Sequence, residues 1–244
     1  MPNDELDAPI EALPVATFAM VVIAGAPPPI PLETITCLAG QVTDDVDVAV
    51  VTDDGDTARE MLDLFSPSFA SRVRVVTSYA QALAQSDAPY VACVGPGELP
   101  TGDWIEQFLR AAAIAPGAVL RAQWADRPVR FDRAAPYEVT GPLTLSPRVP
   151  FDPLFTPIGP PPPLSTFALP RGPRVFEVGL WPTIAYAALL GGVHDLDAVT
   201  TIRLVSPKLE QPDPTAEIRD LLATVPVTLP AGLAPRIAGL VNDR

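Results

Sequence analysis

Four carboxylates follow directly on β-rich runs: Asp53, Asp54 and Asp56 close "VDVAVVTDDGD", and Glu98 stands in "YVACVGPGELP". A carboxylate at a strand end can accept hydrogen bonds from ligand hydroxyls, serve as a general base, or hold a hard divalent cation through oxygen. Aspartate and glycine are also the ordinary residues of turns, so the joint placement of these groups carries the information. Other chemistries lack their residues. A Ser-His-Asp arrangement would have to use His194, the 1 histidine in the chain, which "GGVHDLD" places just past a helix end and marks as structural. Cys37 and Cys93 sit among apolar neighbours, where a free thiol behaves as a small hydrophobe, and with one histidine they make a poor zinc set. No G-x-G-x-x-G follows the first strand and no G-x-x-x-x-G-K-[ST] occurs, so the glycine loops that grip phosphate are missing. Aligning Gly55 with the invariant glycine of a calcium loop puts Val50 and Met61 at ligand positions, which excludes an EF-hand.

The elements that must position these carboxylates alternate. "ATFAMVVIA" reads as a strand ended by "GAPPP", and "PLETITCLAGQ" has apolar residues at helical spacing. "VDVAVVT" and a helix over Thr57 to Phe65 form a second unit, "RVRVVTS" and "YAQALAQSD" a third, "PYVACVG" and "GDWIEQFLRAAAIA" a fourth. Such alternation requires crossovers, hence a mostly parallel sheet flanked by helices, with ligands outside the carboxyl ends of its strands. After Ala115 the pattern becomes mixed. Short pieces "GAVLRAQW", "PVRFD" and "YEVT" precede "FDPLFTPIGPPPPL", a stiff extended connection that reads as a loop over a cleft; then come a strand in "LSTFALP", a helix in "EVGLWPTIAYAALLGG" ending at Gly191 and Gly192, and a last strand "TTIRLVS". The expected division is a flexible segment 1–14, a single α/β domain 15–210, and C-terminal helices in 211–244 packing on it.

With 48% apolar residues and a positive mean hydropathy, the chain has ample material for one core. Its 32 prolines in 244 residues far exceed the usual share of roughly 5%, and most fall between elements. The formal charge of −13 repels phosphate backbones, which argues against a nucleic-acid partner. Arg121, Arg127, Arg130 and Arg133 cluster, but Asp126 and Asp132 interrupt them, as in a hairpin with paired charges. Prolines at 14, 27, 28, 29 and 31 break the one uncharged stretch that could span a membrane, so no transmembrane segment is expected. Acidic residues before that stretch argue against a secretory signal. Unpaired cysteines agree with a reducing, cytoplasmic setting.

In this order, "ATFAMVVIAGAPPPIPLETITCLAGQ", "VDVAVVTDDGDT", "RVRVVTSYAQALAQSDAPYVACVGPGELPTGDWIEQFLRAA" and "LSTFALPRGPRVFEVGLWPTIAYAALLGGVHDLDAVTTIRLV" resemble the family 2 glycosyltransferases of the GT-A fold, over roughly Thr17 to Val205. The resemblance assigns the nucleotide of a sugar donor to Ala24, Gly25 and the residues following, and to Asp53 and Asp54. It implies a nucleotide or nucleotide-sugar ligand.

The same resemblance exposes departures. The family's Asp-x-Asp motif, which holds a divalent cation on the donor diphosphate, falls on Gly95 and Gly97, leaving Glu98 as the nearby anion and at most a weak Mg²⁺ or Mn²⁺ site. The acidic pair at the start of the next helix becomes Glu177 and Val178, so Glu177 is the candidate base. A general base contributes about 10²- to 10⁴-fold and charge stabilisation at a departing diphosphate at least as much. The resemblance therefore implies a glycosyltransferase-like domain that lacks standard metal-dependent transfer, needs no cofactor, and binds a nucleotide or a protein partner, in the setting of polysaccharide synthesis by analogy. The alternative is an active, metal-independent transferase in which Arg171 and Arg174 neutralise the diphosphate and Glu177 is the base.

Overall fold

The computed structural model describes residues 18–23, 30–42, 46–95, 97–130, 137–147, 162–171 and 180–206. Three strand–helix units open the chain: β1 (Phe18–Ile23) and α1 (Ile30–Ala39), β2 (Val46–Val51) and α2 (Gly55–Leu62), and, after the short α3 (Pro67–Ala70), β3 (Val73–Val76) and α4 (Tyr79–Ala84). A fourth pairs β4 (Tyr90–Val94) with α5 (Trp104–Ile114), interrupted by the short β5 (Glu98–Pro100). The second half contains β6 (Val119–Arg130), β7 (Glu138–Val139), β8 (Thr144–Leu145), a 3-10 turn over Leu164–Thr166, β9 (Phe167–Pro170), α6 (Leu180–Gly191) and β10 (Val193–Val205).

The strands line up as β3-β2-β1-β4-β9-β6-β10-β5, with β7 and β8 paired to β6. β1 to β4 are mutually parallel, β9 runs against both β4 and β6, and β10 is parallel to β6. β1 to β4, β6 and β10 therefore all point one way, as a sheet built from crossovers requires. Period-two alternation sends Val46, Val48, Val50, Tyr90, Ala92 and Val94 to one face, under α1, α2, α3 and α5, and Ala49, Val91 and Cys93 to the other, under α4 and α6. Trp104 and Phe108 meet edge-on at 5.4 Å in the first layer, and Phe167 and Trp181 at 6.2 Å in the second.

Three differences from the sequence reading stand out, and the first two have a common origin. β6 is one continuous strand through Asp126, Arg127 and Pro128, where separate pieces were expected, and β10 begins at Val193, well before "TTIRLVS". In both, charged residues hid a strand because their partners lie on the neighbouring strand: Arg203 pairs bidentately with Asp126 at 2.8 and 3.0 Å, and Arg121 with Asp195. Residues Glu98–Pro100, expected as part of a turn, form an edge strand on Thr201–Arg203 of β10. α6 ends at Gly191, as expected. A Cβ there would lie 2.3 Å from the Gly117 carbonyl oxygen, and Gly192 follows with φ +75°. Arg130 pairs with Glu138 across the β6–β7 hairpin. The two cysteines are free, Cys93 buried in β4 and Cys37 partly buried in α1. The expected C-terminal helices lie outside the described residues.

Candidate functional site

Asp53, Asp54, Thr77, Ser78 and Gly95 all follow parallel strands, so they share the carboxyl edge of the sheet. At the β2 end, the Thr52 N–H donates to the Val76 carbonyl at 2.9 Å, holding this edge to β3. Asp54 caps α2: its Oδ1 accepts from the Thr57 N–H at 3.1 Å and its Oδ2 from the Thr57 hydroxyl at 2.7 Å. These bonds, side chain first, hold the Asp54 carboxyl below its ordinary value. Asp53, one residue earlier, is exposed at the rim. Of the expected aspartate pair, one builds the helix and the other faces solvent.

The turn after β4 is closed. Glu98 is 7% exposed, and its carboxylate accepts three backbone N–H groups: Leu164 to Oε1 at 2.7 Å, Ser165 to Oε2 at 2.8 Å, and Gly95 to Oε2 at 2.9 Å. Burial pushes its pKa up and is the largest influence, opposed by those hydrogen bonds. Both glycines in "GPGE" serve this arrangement. A Cβ on Gly95 would meet Glu98 Oε1 at 3.0 Å, and Gly97 has φ +77°, a conformation that favours glycine. The Gly97 carbonyl accepts from the Leu204 N–H at 2.7 Å, and the Glu98 carbonyl accepts from the Thr34 hydroxyl at 2.9 Å. Ser165 is held further by the Trp104 indole N–H, which donates to its carbonyl at 2.7 Å, and by the Thr201 hydroxyl at 3.0 Å.

A divalent cation does not fit the described residues of this turn. Its ligand would be a carboxylate whose oxygens already face three N–H dipoles, positive ends inward, and no group of three or more His, Cys, Asp or Glu among the described residues could complete a coordination shell.

Arg171 was expected at the diphosphate. It lies instead at the opposite end of β4: Pro170 is paired with Tyr90, and the Arg171 N–H donates to the Pro89 carbonyl at 2.8 Å. Its guanidinium donates to the Ser86 carbonyl and, at 3.2 Å, to the Leu83 carbonyl, closing the C-terminal end of α4. Ala24, Gly25, Arg174 and Glu177 lie outside the described residues. His194 is the second residue of β10 and is partly buried. Sequence reasoning missed Leu164 and Ser165, which act through backbone N–H groups. The available signal was a lone buried-type glutamate beside two glycines with no cation nearby.

An aligned parallel half, an antiparallel strand between β4 and β6 and a mixed second half make this a glycosyltransferase-like fold of the GT-A type. It is similar to crystal structures of S. aureus TarS: the 1-349 segment matches with TM-score 0.56 and 14% identity, covering 92% of this chain and 70% of that one, and a complex of the segment with UDP-GlcNAc with 0.55 and 13%, covering 92% and 70%. A further TarS structure matches at 0.57 and 15%, covering 92% of this chain and 42% of that one. No protein-family model matches the sequence, and the comparison with curated proteins gives no match. Among the described residues, no helix is long and apolar enough to cross a membrane.

Proposed function

We propose that this chain is a family 2-like GT-A domain that binds a nucleotide or nucleotide-sugar at the carboxyl edge of its sheet and does not carry out metal-dependent transfer. One observation carries this reading: the Glu98 carboxylate, the anion nearest the expected metal position, is consumed by the amides of Gly95, Leu164 and Ser165. The fold supports the nucleotide part, since the similar TarS segment has been crystallised with UDP and with UDP-GlcNAc. Asp53 is an exposed carboxylate at this edge, and this reading assigns it to hydrogen bonds from a nucleoside. The active, metal-independent alternative loses one of its two arginines, because Arg171 is spent on the carbonyls of α4 and its loop at the far end of β4.

Titration calorimetry with UDP, GDP and their sugars, in EDTA and again with Mn²⁺, tests the reading. The expected result is binding whose affinity is unchanged by the cation, with no sugar released. Rapid Mn²⁺-dependent turnover overturns it. Absence of heat with every nucleotide removes the nucleotide reading and leaves a protein-binding scaffold.

A further inference from the structure

The exposed large apolar side chains of the described residues are not spread evenly. Val139, Leu143 and Leu145 are 50%, 45% and 57% exposed and fall in one short stretch, whereas Leu64, Ile114, Leu190 and Val199 stand apart along the chain. That stretch is β7, β8 and the turn between them. Ala125 and Asp126 of β6 pair with β10 on one side and with β8 on the other. Val139 lies opposite Val129, and the N–H groups of Thr140 and Ser146 donate to the Pro128 and Trp124 carbonyls, each at 3.0 Å. No described strand pairs with the outer side of β7 or β8. Folded chains blunt such edges with charge, yet none follows Glu138 before Ser146. An open edge carrying clustered apolar side chains is a docking surface.

The chain itself supplies an occupant. β10 ends at Val205, opposite Pro128 of β6, so residues 207–244 leave the described fold two strand spacings, roughly 10 Å, from the β7–β8 edge. Residues 207–213, extended at about 3.3 Å each, span that distance. Beyond them Ile218, Leu221, Leu222 and Val225 recur at the spacing of one apolar helix face, between Pro214 and Pro226, with Glu217, Arg219 and Asp220 off that face. Such a stripe needs an apolar surface to cover. A second copy of the chain fits less well, because a formal charge of −13 sets two copies against each other.

We propose that residues 214–225 form an amphipathic helix whose Ile218, Leu221, Leu222 and Val225 dock on Val139, Leu143 and Leu145 and cover the β7–β8 edge. The proposal is independent of the nucleotide reading, since it rests on the arm beside β6 and on the chain that follows β10.

The test labels introduced cysteines with a maleimide in the full chain, read site by site by peptide mass. Leu145→Cys should react about 10-fold or more slowly than Ile114→Cys, an exposed control at the end of α5, and adding Leu221→Asp with Leu222→Asp should abolish the difference. Cys93, buried in β4, stays unlabelled while the fold holds. Equal rates at Leu145→Cys and Ile114→Cys with the segment unaltered overturn the proposal. So does slow labelling that persists in the aspartate variant, or that is lost on dilution, the mark of a second copy. If Cys93 is labelled in the aspartate variant, the decision passes to Val139→Cys combined with Leu222→Cys and a short bifunctional maleimide. A link within one chain upholds the docking; no link, or a link between chains, overturns it.

Discussion

Two strand ends of one sheet carry carboxylates in similar sequence surroundings, and they are spent in opposite ways. After β2, Asp54 bonds only within its own helix turn, to Thr57, and Asp53 points to solvent. After β4, Glu98 is buried and bonds to residues 66 and 67 positions away. A local, exposed carboxylate can be lost with little consequence for the fold and remains available to a ligand. A buried one satisfying three amides belongs to the fold and is not available. Of the adjacent aspartates at the first site, one caps a helix and the other faces solvent, whereas the one glutamate at the second is bound up in the fold.

Removing Glu98 should break this contrast most visibly. Glu98→Ala leaves three N–H groups without their acceptor and should cost ~3–5 kcal/mol in urea unfolding; a loss below about 1 kcal/mol would place the β4 turn with the β2 turn. Gly95→Ala forces a Cβ against Glu98 and should cost about 1–3 kcal/mol, and Gly97→Ala about 1–2 kcal/mol through its positive φ.

A pH series sharpens the comparison. Glu98's carboxyl is raised in the folded state, so the folded chain holds its proton more tightly than the unfolded one. Its contribution is therefore fully present below the ordinary glutamate value, about 4.3, and is lost as pH rises through the raised value. The stability difference between the unaltered chain and Glu98→Gln should shrink over that window. Asp54, held below its ordinary value, has the opposite sign: its contribution is present above the ordinary aspartate value and is lost as pH falls through the lowered one. The smallest effects belong to the β2 end. Asp54→Ala should lower the thermal midpoint slightly, and Asp53→Ala should leave it unchanged while weakening nucleotide binding.

The alternating first half was legible because each strand there is a short apolar run and each is followed by apolar residues at helical spacing; α2, α3 and α4 also begin at side-chain caps, such as Ser78 before α4, which accepts from the Gln81 N–H at 3.2 Å. The purpose of the turn after β4 was not legible, since the donors that explain Glu98 come from beyond the proline-rich run and act through main chain. The full lengths of β6 and β10 were illegible for a related reason: Asp126 and Asp195 look like loop residues until the sheet sets them beside Arg203 and Arg121.

The closure around Ser165 also bears on the order in which the chain assembles. Glu98, Trp104, Ser165 and Thr201 meet only after stretches of 61, 67 and 36 residues have been brought together. Closing such loops costs entropy before any contact repays it. The parallel half can gather from neighbouring units, while this junction must wait for β9 and β10 to arrive. Substitutions here should speed unfolding far more than they slow folding.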